Sequence, residues 1–264
     1  MQAGLIIEGN STGSAILRLP KIPETLGPIK CKALRVARRV SNLLRAGYPV
    51  SDYESLEQAG LILLRVPDAA VPRIVEELAA SELALKGLSF LLCESWLPAD
   101  VLNVLRASGA SVATLVKVPE AGRNWFVIEG EPHAVRLAKR FIEMNESRAL
   151  EIRRDTKQLY FAAALLSTAL PVPLFLAARK ALRASGISGN HLPQLLNEMA
   201  QSMFREFSKG ARVRWGGPLA ECSADTARRH LEALRLNDPE LADLVAEQLN
   251  WARRRMIKAK ASGI

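Results

Sequence analysis

The sequence predicts an α/β fold, an open parallel sheet at the amino end followed by an all-helical domain. Three observations lead there. Short apolar runs alternate with amphipathic segments over residues 1–150, strand signals stop from about Glu151 onward, and the charge balance shifts at the same boundary. Residues 1–150 carry 18 basic and 16 acidic side chains, whereas residues 151–264 carry 18 and 11, so most of the +9 net charge belongs to the second part. The predicted domains are therefore 1–150 and 151–264.

Taken in order, Leu5 to Ile7, Ile29 to Leu34, Leu61 to Val66, Leu88 to Cys93, Val112 to Val118 and Trp125 to Ile128 read as strands. The Leu63-Leu64-Arg65-Val66 run is nearly continuous in apolar character, as a strand covered on both faces should be. Between them, Ser51-Asp-Tyr-Glu54 reads as a capping box before a short helix ending near Gly60. Pro98 opens a helix that ends at Ser108-Gly109, and Pro132 opens another. Beyond the boundary, Leu159 to Ala184, Leu192 to Phe207, Thr226 to Leu236 and Leu241 to Lys260 read as helices. The last is announced by Asn237-Asp238-Pro239-Glu240, an Asp cap with proline at the first helical position.

At 264 residues and 49% hydrophobic content, the chain is a globular protein rather than a disordered tail. Cys31, Cys93 and Cys222 lie far apart, and so do His133, His191 and His230, which predicts neither a disulfide framework nor a metal site. No secretory pattern opens the chain, so a cytoplasmic location is expected. The run Gln158 to Ala178 carries no charge and is long enough to cross a bilayer. Pro171 and Pro173 interrupt it, and a buried core helix is the expected reading. Association with membrane or nucleic acid is not expected. The apolar helices of the second domain instead predict a homodimer.

Ligands of such sheets bind at the carboxyl ends of the strands, with the first strand-to-helix turn against a pyrophosphate. That turn reads Ile6-Ile7-Glu8-Gly9-Asn10-Ser11-Thr12-Gly13. Placed on G-x-G-x-x-G it keeps only Gly13, while Glu8 and Asn10 replace the first two glycines. Asn10 adds bulk where backbone should touch phosphate. Glu8 adds a negative charge, and two such charges 4 Å apart repel by about 1 kcal/mol in water and about 4 kcal/mol near a protein surface. Pro20 and Pro23 then break the helix that should follow. No acid occurs between Glu24 and Asp52, but Lys30, Lys32, Arg35, Arg38 and Arg39 do. A dinucleotide held by Gly9, Asn10, Ser11, Thr12 and Gly13 would therefore be NADP rather than NAD, with Arg35, Arg38 and Arg39 at its 2′-phosphate. The same arginines also read as the solvated face of a basic helix.

Further along come Leu63-Leu64-Arg65-Val66-Pro67-Asp68, Leu97-Pro98-Ala99-Asp100, Phe126-Val127-Ile128-Glu129-Gly130, Lys157-Gln158-Leu159-Tyr160-Phe161 and Gly216-Gly217-Pro218-Leu219-Ala220 with Asp225. In that order and spacing, from Leu61 onward, the chain resembles a bacterial family of Rossmann-like proteins with a helical C-terminal domain of unknown function. That family is similar to deazaflavin-linked NADP oxidoreductases, pyrroline-5-carboxylate reductases and β-hydroxyacid dehydrogenases, whose C-terminal domain is of the 6-phosphogluconate dehydrogenase type. The resemblance implies Val66 and Pro67 beside the cofactor, Lys157 as the catalytic residue, and Glu94, Ser95 and Tyr160 near a small-molecule substrate. Departures cluster at the expected site. Relatives' His-Thr-Ser-Gly is Leu92-Cys93-Glu94-Ser95 here, His-Pro is Val116-Lys117, and Tyr-His is Tyr160-Phe161. Two function classes follow, a divergent NADP-dependent oxidoreductase and a non-catalytic scaffold that binds a small ligand as a dimer.

Overall fold

The computed structural model describes residues 2–9, 14–119, 125–208 and 217–261, which form two compact units, Met1–Ala169 and Leu170–Ile264. Asn10, Ser11, Thr12 and Gly13 of the expected phosphate turn lie outside the described residues.

The first unit is built on eight strands: β1 (Ala3–Ile7), β2 (Leu26–Lys30), β3 (Tyr48–Val50), β4 (Leu61–Arg65), β5 (Ser89–Cys93), β6 (Ser111–Lys117), β7 (Trp125–Gly130) and β8 (Arg148–Glu151). Their order in the sheet is β3-β2-β1-β4-β5-β6-β7-β8, and every neighbouring pair is parallel except β6 with β7. Chain order reverses direction at β1 and β4, the position where open sheets of this kind form a ligand crevice.

Period-two alternation sends neighbouring residues to opposite faces. Leu5, Leu63, Leu91 and Phe126 pack in one core layer with Ile16, Ala138 and Phe141, whereas Ile6, Ile62, Leu64 and Phe90 pack in another with Ile74, Val75 and Leu78. Helices α1 (Ile22–Thr25), α2 (Leu34–Leu44), α3 (Val71–Ala80), α4 (Asn103–Ala107) and α5 (Pro132–Met144) belong to this unit. The helix after β1 is as broken as Pro20 and Pro23 require: a 3-10 turn at Ile16–Arg18, then the four residues of α1. Between β3 and β4 the expected Ser51 capping box is corrected. Asp52 accepts from the Ser55 N–H at 3.0 Å, and the segment is only a 3-10 turn at Glu54–Leu56.

A helical run continues from Lys157 to Ala184. It comprises α6 (Lys157–Ala164), a π-helical turn at Leu165–Ala169 and α7 (Pro171–Ala184). Pro171 therefore does not end the helix, because the π turn lets proline sit at the first position of α7, where its missing N–H costs nothing. The expectation that the uncharged run is a buried core helix is corrected as well. Leu166, Leu170, Val172, Leu174, Phe175 and Leu176 are all exposed.

The second unit continues with α8 (His191–Ser208), α9 (Pro218–Glu221), α10 (Ala224–Asn237) and α11 (Pro239–Ala261). Asp238 caps α11 through the Leu241 N–H at 3.1 Å, as its sequence context suggests, and it also pairs with Lys180 at 2.8 Å. Among the described residues of this unit, Leu192 and Ala242 are the only apolar side chains fully buried.

Candidate functional site

The carboxyl ends of β1 and β2 open on a cleft lined by Glu8, Lys30, Lys32, Tyr53, Arg73 and Glu77. Lys30 is the last residue of β2. Its ammonium donates to the Cys31 carbonyl at 2.8 Å and lies 4.9 Å from the centre of the Tyr53 ring. Arg73 and Glu77, one turn apart on α3, pair at 2.5 Å, and Arg73 also reaches Glu8 at 2.5 Å. Tyr53 donates to Glu77 at 2.7 Å, and that hydrogen bond, ahead of Arg73, holds the Glu77 carboxyl below the usual range. Burial pushes the neighbouring Cys31 thiol up to about 11, so it is not a ready nucleophile. The repulsion expected from Glu8 is thus offset by Arg73.

Gly9 adopts a left-handed φ of +78°, and a Cβ there would come 3.2 Å from the Pro67 ring. The first turn therefore leaves β1 in close contact with the segment after β4, where Val66 is buried. Arg35, Arg38 and Arg39 are exposed on α2 and do not line the cleft. Its lining instead includes Tyr53, Arg73 and Glu77, which sequence reasoning missed. The available signal was the four-residue spacing of Arg73 and Glu77 on a helix.

At the end of β5, Glu94 has a left-handed φ of +58°, a conformation costing a non-glycine residue about 1–2 kcal/mol. Its carboxylate compensates. One oxygen accepts from the Ser14 hydroxyl at 3.1 Å and the Ile16 N–H at 3.0 Å, and the other lies 2.6 Å from Arg65 Nε. Glu94 thus ties Ser14 and Ile16 to the end of β4. Ser95 is buried, donates to Asp68 at 2.6 Å and accepts from the Leu97 N–H at 3.0 Å, so its hydroxyl closes a turn.

Lys157 opens α6 and is 2% exposed. All three of its N–H donors are engaged, by the carbonyls of Ser95 at 2.8 Å and Leu97 at 2.7 Å and by the Thr114 hydroxyl at 2.6 Å. Burial pushes its pKa down to about 8, with Glu129, Asp68 and Cys93 pulling upward. Glu129 is itself buried and accepts from the backbone N–H groups of Asp155 at 2.7 Å and Ala99 at 3.3 Å. Lys157 is therefore not the solvated charge that a first-turn lysine usually is. Tyr160, three residues on, stacks with Trp96 at 5.7 Å between ring centres, and Phe161 meets the same indole edge-on at 5.4 Å.

Residues 124–248 match the family model of a domain of unknown function, DUF2520. No curated protein matches the chain in sequence. Among solved structures, a candidate NADP oxidoreductase from Bacteroides fragilis is similar with a TM-score of 0.75 at 15% identity, over 97% of this chain and 98% of that one. An imine reductase from Aspergillus terreus, solved with NADPH4 and a dibenzazepine, gives 0.71 at 15% identity over 97% and 93%. A protein from Thermotoga maritima gives 0.63 at 17% identity over 98% and 99%. At these identities the likeness establishes a Rossmann-like sheet followed by a helical part, which is the fold.

Proposed function

We propose that this chain, a Rossmann-like protein whose residues 124–248 match DUF2520 and whose fold is that of NADP oxidoreductases and imine reductases, is an NADP-linked oxidoreductase acting on a small molecule. The observation that carries this reading is the cleft at the ends of β1 and β2, where Lys30 and Lys32 stand at the position an acid takes in NAD-selective sheets. The donor set fits a 2′-phosphate: two ammonium groups with Arg73 beside them. Arg35, on the first turn of α2, adds to the same positive field, whereas Arg38 and Arg39 lie a turn further on. When bound, the cofactor supplies or accepts hydride. The residues of this chain hold its surroundings: Gly9 and Pro67 bring the first turn against β4, Glu94 joins Ser14 and Ile16 to Arg65, and Lys157 fixes the loop after β5. Lys157 acts here as a positioning residue, since delivering a proton would require it to give up one of its three hydrogen bonds.

NADPH is expected to bind about tenfold more tightly than NADH, the worth of about 1.4 kcal/mol. Lys32→Ala should remove most of that preference, while Arg38→Ala and Arg39→Ala leave it nearly unchanged. Calorimetry showing neither dinucleotide bound at millimolar concentration would end the oxidoreductase reading, and an NADH preference would remove the role of Lys30 and Lys32. A second reading, a non-catalytic scaffold, is favoured by Arg73 being paired with both Glu8 and Glu77. It would show as ligand binding without hydride transfer to any carbonyl or imine acceptor.

The helical unit acts as a dimerisation surface in this reading. Val172, Phe175 and Leu176 on α7 and Met199, Met203 and Phe204 on α8 are exposed, too much apolar surface for a unit with so few buried apolar side chains. The apolar residues extend over two helices, and α8 interleaves them with Gln194, Asn197, Glu198 and Gln201, which suits a protein partner better than lipid. A second copy closes such a surface with C₂ symmetry. Light scattering should give twice the 28.9 kDa chain mass at micromolar concentration without detergent. A monomer would reject the dimer, and a detergent requirement would favour lipid contact along Lys157–Ala184.

A further inference from the structure

Helix α2 carries Arg35, Arg38 and Arg39, with Arg45 at its end. All four are exposed, and none enters an ion pair or side-chain hydrogen bond among the described residues. No acid occurs between Glu24 and Asp52 to neutralise them. Arg38 and Arg39 follow Arg35 by three and four residues, close enough to repel it. The amino end of the helix has no side-chain cap, and its first turn holds Arg35 and no acid, against the helix dipole. Arg45 has a φ of +50°, the left-handed position where glycine usually ends a helix. Glu94 offsets such a conformation through its carboxylate, whereas Arg45 has no bond of that kind. Each of these choices lowers local stability, so a merely solvated face does not account for the stripe.

Beside the stripe, the broken segment after β1 and the end of α2 bound an apolar groove of about 490 Å³, lined by Leu17, Leu19, Pro20, Pro23, Leu43 and Leu44. Arg18 is the charged residue of its wall, and no acid lines it. Leu43 is 64% exposed, and Val36, seven residues earlier on α2, is 46% exposed. Leu43 also follows Arg39 by four residues, so Val36, Arg39 and Leu43 adjoin along the helix. Groove and stripe are therefore one surface, an apolar trough with cations along its rim.

We propose that this surface docks an acidic amphipathic helix of another protein, with its apolar residues in the groove and its carboxylates along the arginines. Arg35 and Arg39 stand about one turn apart, the spacing at which a helix running beside α2 presents carboxylates from its own successive turns. A second copy of this chain is a poor occupant, because its net charge is +9 and a two-fold contact would set stripe against stripe. Nucleic acid would use the cations and leave the apolar groove wet, and a lipid surface is flat where the groove is concave. Docking does not rest on the oxidoreductase reading.

The probe is a labelled synthetic helix with leucines three and four residues apart and glutamates between them, titrated with the full chain by fluorescence anisotropy. Two control peptides carry glutamine or lysine in place of every glutamate. The wild-type protein should bind the glutamate peptide about tenfold more tightly than the glutamine one, and the difference should shrink as salt rises. Leu43→Asp should weaken the glutamate peptide by about tenfold. Arg38→Glu combined with Arg39→Glu should turn the preference toward the lysine peptide while melting no lower than the wild type, since like-charge repulsion is removed. A role in helix stability alone would not reverse a binding preference. Equal affinity for the glutamate and glutamine peptides, or no binding at millimolar concentration, overturns the proposal. So does tighter binding of duplex DNA or phosphatidylglycerol vesicles that Leu43→Asp leaves unchanged.

Discussion

Lys157→Ala is expected to destabilise the first unit by about 3 kcal/mol or more at neutral pH, because two losses add and one gain opposes them. Truncating a buried four-carbon stem costs about 2–4 kcal/mol in packing. Leaving the Ser95 and Leu97 carbonyls and the Thr114 hydroxyl without their donor costs about 1 kcal/mol each, and up to about 3 where water does not enter. Against this stands relief from burying a charge. Lys157 titrates at about 8 instead of 10.5, and at about 1.4 kcal/mol per pH unit its desolvation penalty is about 3 kcal/mol. The losses outweigh the relief, and chemical denaturation monitored by circular dichroism measures the difference.

The same shift carries a pH signature. Below about 8 both folded and unfolded chains hold the proton, and the penalty is present in full. Between about 8 and 10.5 the unfolded chain binds the proton and the folded one does not, so stability rises with pH across that window. Wild type should therefore gain up to about 3 kcal/mol relative to Lys157→Met from pH 8 to 10.5. Parallel stability curves for the two proteins would show that the ammonium is not desolvated as described.

Gly130→Ala is expected to cost about 3–5 kcal/mol, or to prevent folding. Gly130 ends β7 with a φ of +153°, a conformation open to glycine and strained for any other residue. A Cβ there would lie 2.4 Å from the Val112 carbonyl oxygen and 2.5 Å from Ala113 Cα. Those are backbone atoms of the neighbouring strand β6, which cannot swing aside as a side-chain tip can. Strain of about 1–3 kcal/mol and overpacking of about 1–3 kcal/mol combine. Any relief through movement of β7 would displace Glu129 from the Ala99 and Asp155 amides. A fully stable Gly130→Ala protein would refute the close approach of β6 and β7.

What the sequence determined by itself was local. The near-continuous apolar run from Leu61 to Val66 marked a strand covered on both faces, Asp238-Pro239 marked a helix start, and Pro20 with Pro23 broke the helix after β1. Each depends on interactions a few residues long, which is why periodicity and caps reveal them. The short strands β3 and β8 escaped that reading, because three or four partly exposed residues carry too little pattern. Proline also misled at Pro171, where the chain inserts a π turn and keeps the helix going.

The candidate site was decided by tertiary structure. Lys157 and Glu94 were singled out from the chain as a catalytic group and a substrate contact, yet their partners lie far away in sequence. The ammonium meets oxygens 43, 60 and 62 residues distant, and the carboxylate meets Ser14 and Ile16, 80 and 78 residues distant. Likewise the basic residues after β2 were legible as charge, but only the order of strands in the sheet put Lys30 and Lys32, rather than Arg38 and Arg39, beside Arg73 and Tyr53. The physical reason is common to all of these. A charge taken from water must find a specific donor or acceptor nearby in space, and which groups are nearby depends on which strands become neighbours, not on the residues that adjoin it in the chain.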